Sequence, residues 1–466
     1  MLFSSISFLY YFLPIVLILY FAVPMRMKNG VLLLSSLFFY AWGEPKYVLI
    51  MLVAIIQGYG FGRLIEKSKQ QKIARAWLWT SITISLGLLC YCKYVDFFIE
   101  NINAVTGLSL PLLKIALPIG ISFYSFQIIG YTVDVYRKTV PAQKNFIDFA
   151  AYVTMFSQLI AGPIVRYRDI EEQLATRTHS VHGVAKGIRR FVLGLSKKVL
   201  IANVLGELVA IYKDCDEKTI LFAWVYAIAY TLHVYFDFSG YSDMAIGLGE
   251  VFGFHFPENF NYPYIANSIT DFWRRWHISL GSWFRDYLYI PLGGNRVVKW
   301  KWFRNLFIVW MATGLWHGAA WNFVLWGLMF AVLLMVEKGG LLTILQKIKP
   351  FEHVYVLFFV IVSFVLFDSV DLKTAGESFS YMFGMATRRV SNITTMYYLK
   401  SYAFLLVIAM VGATPLPKRI LERVCKYKAG EKVVSYIEPV WIVLLLAVAT
   451  AFLVDGSYNP FLYFRF

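Results

Sequence analysis

The stretch Leu306-Phe-Ile-Val-Trp-Met-Ala-Thr-Gly-Leu-Trp-His-Gly-Ala-Ala-Trp-Asn-Phe-Val-Leu-Trp-Gly-Leu-Met-Phe-Ala-Val-Leu-Leu-Met-Val336 carries one ionisable side chain, His317. An apolar helix crosses the hydrocarbon core of a bilayer in about 20 residues, so a run of this kind predicts membrane-embedded helix. An ionisable group at that depth is costly and marks function by default. Gly314 and Gly318 flank His317 where close helix contact or a kink is possible, and Trp316 and Trp321 are placed to wall a cavity around the imidazole. The plainer alternative is a neutral imidazole satisfied by one hydrogen bond inside a helix bundle.

Working outward, comparable charge-poor segments lie at 3–25, 29–43, 47–62, 76–92, 111–133, 146–165, 199–212, 219–236, 354–370, 401–417 and 439–455. With 306–336 they predict about ten to twelve membrane-embedded elements and an all-α, polytopic membrane protein. Composition agrees: 59% of the residues are hydrophobic and only 15% charged, too apolar for an ordinary soluble chain. Met1 to Met25 carries no charge and no basic segment precedes its apolar run, so it reads as an uncleaved first span. Without a linker, low-complexity tract or internal repeat, residues 1–466 read as a single membrane domain ending in a short aromatic extracytoplasmic tail, 457–466.

The chain has 44 Lys and Arg against 28 Asp and Glu, a net charge of +16. These cations gather in short loops between apolar runs, the pattern of cytoplasmic loops and not of a nucleic-acid surface. Arg63, Lys67, Lys69, Lys72 and Arg75 follow the third span, which puts the N-terminus outside. Lys418, Arg419, Arg423, Lys426, Lys428 and Lys432 precede the last span and put the C-terminal tail outside as well. Cys90, Cys92, Cys215 and Cys425 have neither zinc nor disulfide-framework spacing, and no metal site is expected.

A second cluster, Asp271-Phe-Trp-Arg-Arg-Trp-His-Ile-Ser-Leu-Gly-Ser-Trp-Phe-Arg-Asp-Tyr-Leu-Tyr-Ile-Pro-Leu-Gly-Gly-Asn295, mixes aromatics with charge as spanning helices do not. If helical, Asp271 and Arg275 form an i, i+4 pair holding the segment at a membrane surface, with Trp273 and Trp276 facing the interface. Arg274, Arg275 and Arg285, with Arg296, Lys299, Lys301 and Arg304, make a basic cytosolic surface beside His277. It suits an anionic donor such as coenzyme A, and lipid phosphates equally. A third feature, Tyr235-Phe-Asp-Phe-Ser-Gly-Tyr-Ser-Asp243, places Asp237 and Asp243 where they can pair with arginines or orient a histidine.

These motifs, together with Phe156-Ser-Gln-Leu-Ile-Ala-Gly-Pro163, Phe256-Pro-Glu-Asn-Phe-Asn261 and Gly314-Leu-Trp-His-Gly318, resemble those of the membrane-bound O-acyltransferase family. The likeness is greatest to its bacterial alginate O-acetyltransferase branch. The resemblance implies helices around a central tunnel in a thinned membrane, with a cytosolic funnel for the acyl donor meeting an outer one. It implies His317 as the catalytic residue and His277 as the second site position, where sterol and diacylglycerol acyltransferases carry asparagine. It also implies acetyl-CoA as acyl donor with no permanently bound cofactor, and a polysaccharide acceptor outside the cell. An extracytoplasmic partner transferase resembling SGNH hydrolases is implied too, in the cell (plasma) membrane.

On that footing a neutral His317 acts as general base toward an acceptor hydroxyl, while His277 orients the thioester or donates a hydrogen bond to the developing oxyanion. Tyr463, in the tail, is either an acyl relay or an interfacial aromatic anchor. Two other readings stay open: D-alanyl or lipid acyl transfer by the same fold, and, in a different class, a transporter or flippase with His317 as proton relay. The missing repeat symmetry speaks against the last.

Overall fold

Long uninterrupted apolar runs satisfy their backbone polar groups internally as helix, because lipid offers no other hydrogen-bond partner. The computed structural model describes residues 1–456, and among them the regular elements are helices, with no β-strand. Among the described residues seven helices are long and apolar enough to cross a membrane: Pro45–Lys67, Gln71–Lys93, Ile220–Val251, Trp321–Leu345, Lys349–Asp368, Ile393–Gly412 and Lys428–Val454. Their environments differ. In Ile220–Val251, 78% of the most apolar window is buried in protein, whereas in Lys428–Val454 only 6% is. Val440, Val443 and Leu444 of the latter stand exposed, and a helix so apolar and so uncovered requires lipid as its solvent. The protein is an all-α, multi-pass membrane protein.

The described residues divide into two compact units, one of residues 1–191 and 242–258, the other of residues 192–241 and 259–456. In the first, Val48–Lys67 packs on Ile121–Tyr136 through Gly58 and Gly62, where a Cβ would run into Ile128 and Tyr131. Phe8, Phe12, Phe39 and Phe156 form an aromatic cluster. Asp243 pairs with Arg190 at 2.9 Å, and Arg190 also grips Glu258.

In the second unit the long apolar run is not one helix. Lys299–His317 and Trp321–Val336 are separate, joined by a turn in which Gly318 and Ala320 are extended. Gly314 abuts the backbone of Phe323 and Gly327 that of Trp310, so the two helices touch backbone to backbone and any side chain there would collide. Hydropathy could not show the break, because Gly318, Ala319 and Ala320 are as uncharged as the helices they separate. Similarly, the apolar run 111–133 becomes helical only at Ile121. The tail 457–466, with Tyr458 and Tyr463, lies outside the described residues.

Candidate active site

The Asp271–Asn295 segment folds as short pieces, each end fixed from elsewhere in the second unit. Ile269–Arg275 starts where the Ser268 side chain accepts from Asp271 N at 3.0 Å. Its remaining exposed N–H groups meet the fully buried Glu337: the carboxylate accepts from Ile269 N, from Thr270 N at 3.0 Å and from Thr270 Oγ1 at 2.7 Å. A carboxylate at a helix N-terminus satisfies orphan donors and the helix dipole together. Asp271 and Arg275 form the expected i, i+4 pair at 2.8 Å. Trp273 and Trp276 do not face an interface. Trp276 is buried against Phe260 and Phe364, and Trp273 packs on Trp310, Trp326 and Phe330. Indoles bring a large apolar area to a core, which favours turning these rings inward.

The helix stops at Trp276, and His277 adopts the left-handed conformation, φ 45°, ψ 52°, before Ile278–Phe284 begins. A non-glycine residue there is strained and needs support from its surroundings. Asn259 and Asn261 give it. Asn261 N donates to Arg275 O at 2.9 Å and Ile278 N to Asn259 O at 3.0 Å, so residues 259–261 strap the turn on both sides. The Asn259 side-chain oxygen is shared by His277 Nδ1 at 3.1 Å, Ser279 Oγ at 2.8 Å and Ser279 N at 3.3 Å. The His277 imidazole is buried, edge-to-face with Phe238 at 4.7 Å and Trp316 at 5.8 Å between ring centroids. His277 lies outside the seven candidate spans, and burial pushes its pKa down to about 3.

His317 is the last residue of Lys299–His317, brought to the helix end by the turn at Gly318. Its imidazole is edge-to-face with three rings, Trp316 at 4.9 Å, Trp326 at 5.0 Å and Phe367 at 5.2 Å, and is 8% exposed. The aromatic enclosure expected from the sequence exists, with one change of member: Trp321 is half exposed, and Trp326 and Phe367 take its place. Trp316 contacts both imidazoles, so a single indole links the two sequence-predicted histidines.

Buried charges hold the walls. Asp237, next to Phe238, pairs with buried Lys198, so its partner is a lysine and not one of the arginines. Asp368, next to Phe367, accepts from Lys213 and from Tyr226, both at 2.6 Å. Asn322 donates to Ser369 O at 2.7 Å, tying Trp321–Val336 to the end of Lys349–Asp368. Of the candidate donor-binding arginines, Arg274 is exposed, Arg275 is held by Asp271, and the exposed Arg285 is paired with Asp286 at 2.8 Å.

The model of the membrane-bound O-acyltransferase family matches residues 138–369, a span that contains both histidines and the strap. Over the full length of both chains, the sequence is 39% identical to the probable alginate O-acetylase of Pseudomonas putida. The chain belongs to the membrane-bound O-acyltransferase family. Within that family it falls in the alginate O-acetylase-like branch, and it is an O-acyltransferase. The peptidoglycan O-acetyltransferase of Helicobacter pylori is 36% identical over 73% of this chain and 71% of its own. The teichoic acid D-alanyltransferase of Bacillus subtilis is 30% identical over 46% of this chain and 58% of its own.

Several residues around this candidate site were not evident from the sequence. Asn259 lies in Phe256–Asn261 and Ser279 in Asp271–Asn295, and nothing in the order of residues says that Asn259 reaches a turn eighteen positions on. Glu337, Lys198 and Asp368 carried a usable signal: each is an ionisable residue at the edge of an apolar run. His233, buried in Ile220–Val251 with Nδ1 2.6 Å from Ala202 O, gave the same signal.

Proposed function

We propose that this O-acyltransferase takes an acetyl group from a cytosolic thioester, acetyl-CoA, and passes it across the plasma membrane for O-acetylation of an extracellular or cell-wall polysaccharide. The observation that carries this reading is His317 at a helix end, enclosed by three aromatic rings and linked through Trp316 to a second buried imidazole. The names of two relatives, the full-length alginate O-acetylase and the partly matching peptidoglycan O-acetyltransferase, support the acetyl group and the glycan acceptor.

His317 removes the proton of an acceptor hydroxyl as its oxygen bonds to the thioester carbonyl carbon. The C–S bond then breaks, and the same proton passes from the imidazole to the departing thiolate. The aromatic rings keep water from competing for the thioester. His277 completes the site as the second catalytic residue. Arg274 is the freest of the three arginines to meet a coenzyme A phosphate, while Arg275 and Arg285 contribute by exchanging carboxylate partners for phosphate. Tyr463 is the candidate acyl relay toward an extracytoplasmic partner of the SGNH-hydrolase-like kind. The test is free thiol release by purified protein from acetyl-CoA, with palmitoyl-CoA and a D-alanyl carrier-protein thioester in parallel. Consumption of acetyl-CoA alone supports the reading. Consumption of the D-alanyl thioester alone favours the alternative, against which stands the shorter match to the Bacillus enzyme.

A further inference from the structure

The hydrogen bonds around His277 specify where its ring proton sits. Ser279 N is a backbone donor and can only donate, so the Asn259 side-chain atom it approaches is the carbonyl oxygen and not the amide nitrogen. Ser279 Oγ donates to the same oxygen, which leaves that hydroxyl with lone pairs toward His277 Nδ1, 3.5 Å away. Both groups next to Nδ1 are therefore acceptors, and Nδ1 must carry the hydrogen.

We infer that Asn259 and Ser279 are positioning residues that lock His277 as its Nδ1–H tautomer. Its Nε2 is then the unprotonated nitrogen, which toward a substrate acts as an acceptor and not as a donor. Of the two roles expected for His277 from the sequence, orienting a substrate fits this tautomer and donating to an oxyanion does not. Burial keeps the imidazolium, the one form in which both nitrogens donate, out of reach near neutral pH. Phe238 and Trp316, which pack on the ring, are uncharged. The left-handed backbone at His277 is the cost of presenting the ring to Asn259 in this way.

The catalytic half of this inference rests on the acyl-transfer reading, whereas the tautomer does not, so the test separates them. Protein labelled with ring-¹⁵N histidine contains seven histidines, and His277 is assigned as the signal lost in His277→Asn. The expected spectrum near neutral pH has a protonated Nδ1 and a bare Nε2. A bare Nδ1, or both nitrogens protonated, overturns the inference whether or not the protein consumes acetyl-CoA. Asn259→Leu should then mix the tautomers and lower kcat at least about tenfold with little change in KM, as a misplaced imidazole proton does in hydrolytic triads. Asn259→Asp keeps the acceptor and places a carboxylate at Nδ1. It should retain the tautomer and move the acidic limb of the pH–rate profile to higher pH, because activity needs the neutral ring. A limb that stays, or moves to lower pH, overturns the acceptor role.

Discussion

Asn259 and His277 meet side chain to side chain at 3.1 Å, across a turn in which His277 has the backbone conformation usually left to glycine. The same asparagine bonds the turn through its backbone. Removing side-chain partners one at a time should separate support of the turn from control of the ring. Ser279→Ala deletes one donor but leaves Ser279 N to hold the Asn259 oxygen. A loss of about 1 kcal/mol or less in stability and only a few-fold in turnover is expected, read by thermal unfolding in detergent and by thiol release.

Burial holds the His277 pKa at about 3 against an ordinary 6.5, so the folded state resists protonation that the unfolded chain accepts. The stabilising contribution of the neutral ring is complete above about pH 6.5 and falls away as pH drops toward 3. His277→Asn should therefore flatten the decline of Tm between those pH values. An identical slope in variant and wild type would show that this ring is not titrating on unfolding.

Lys198 and Asp237 are both buried, and removing one takes from the other its buried opposite charge. Asp237→Asn or Lys198→Met alone should cost about 3–5 kcal/mol, while the double change to apolar residues of similar volume should recover much of it. Additive losses in the thermal unfolding of all three variants would contradict the pairing.

Gly314 and Gly327 sit at a backbone-to-backbone contact, whereas a Cβ added at Gly60 meets open space. Gly327→Val should destabilise by at least about 1–3 kcal/mol through overpacking, and Gly60→Ala should be neutral or stabilising by up to about 1 kcal/mol. The same thermal measurement reads both.

Glu337→Gln keeps shape but removes the charge that caps Ile269–Arg275. A loss of about 1–3 kcal/mol is expected, with turnover falling further than stability because the capped helix leads directly into His277.

The helical, lipid-facing character of the chain was legible because hydropathy is a local property, and His317 stood out because nothing ionisable surrounded it. His277 was visible through the motif around it. What escaped notice depends on contacts distant in sequence. The alternation of Trp273 and Trp276 with arginines resembles an interfacial anchor until Phe364, Trp310 and Phe330 are brought around it. The strap at Asn259 and the cap at Glu337 likewise exist only once separate segments meet. The turn at Gly318 was hidden because glycine and alanine interrupt a helix without interrupting its hydropathy.

The most direct measurement is release of free thiol from acetyl-CoA by purified wild-type protein and by His317→Ala at matched protein level and fold. A loss of about 10²–10⁴ in turnover is expected for removal of a positioned base. Retention of more than about a tenth of wild-type turnover would contradict His317 as the base.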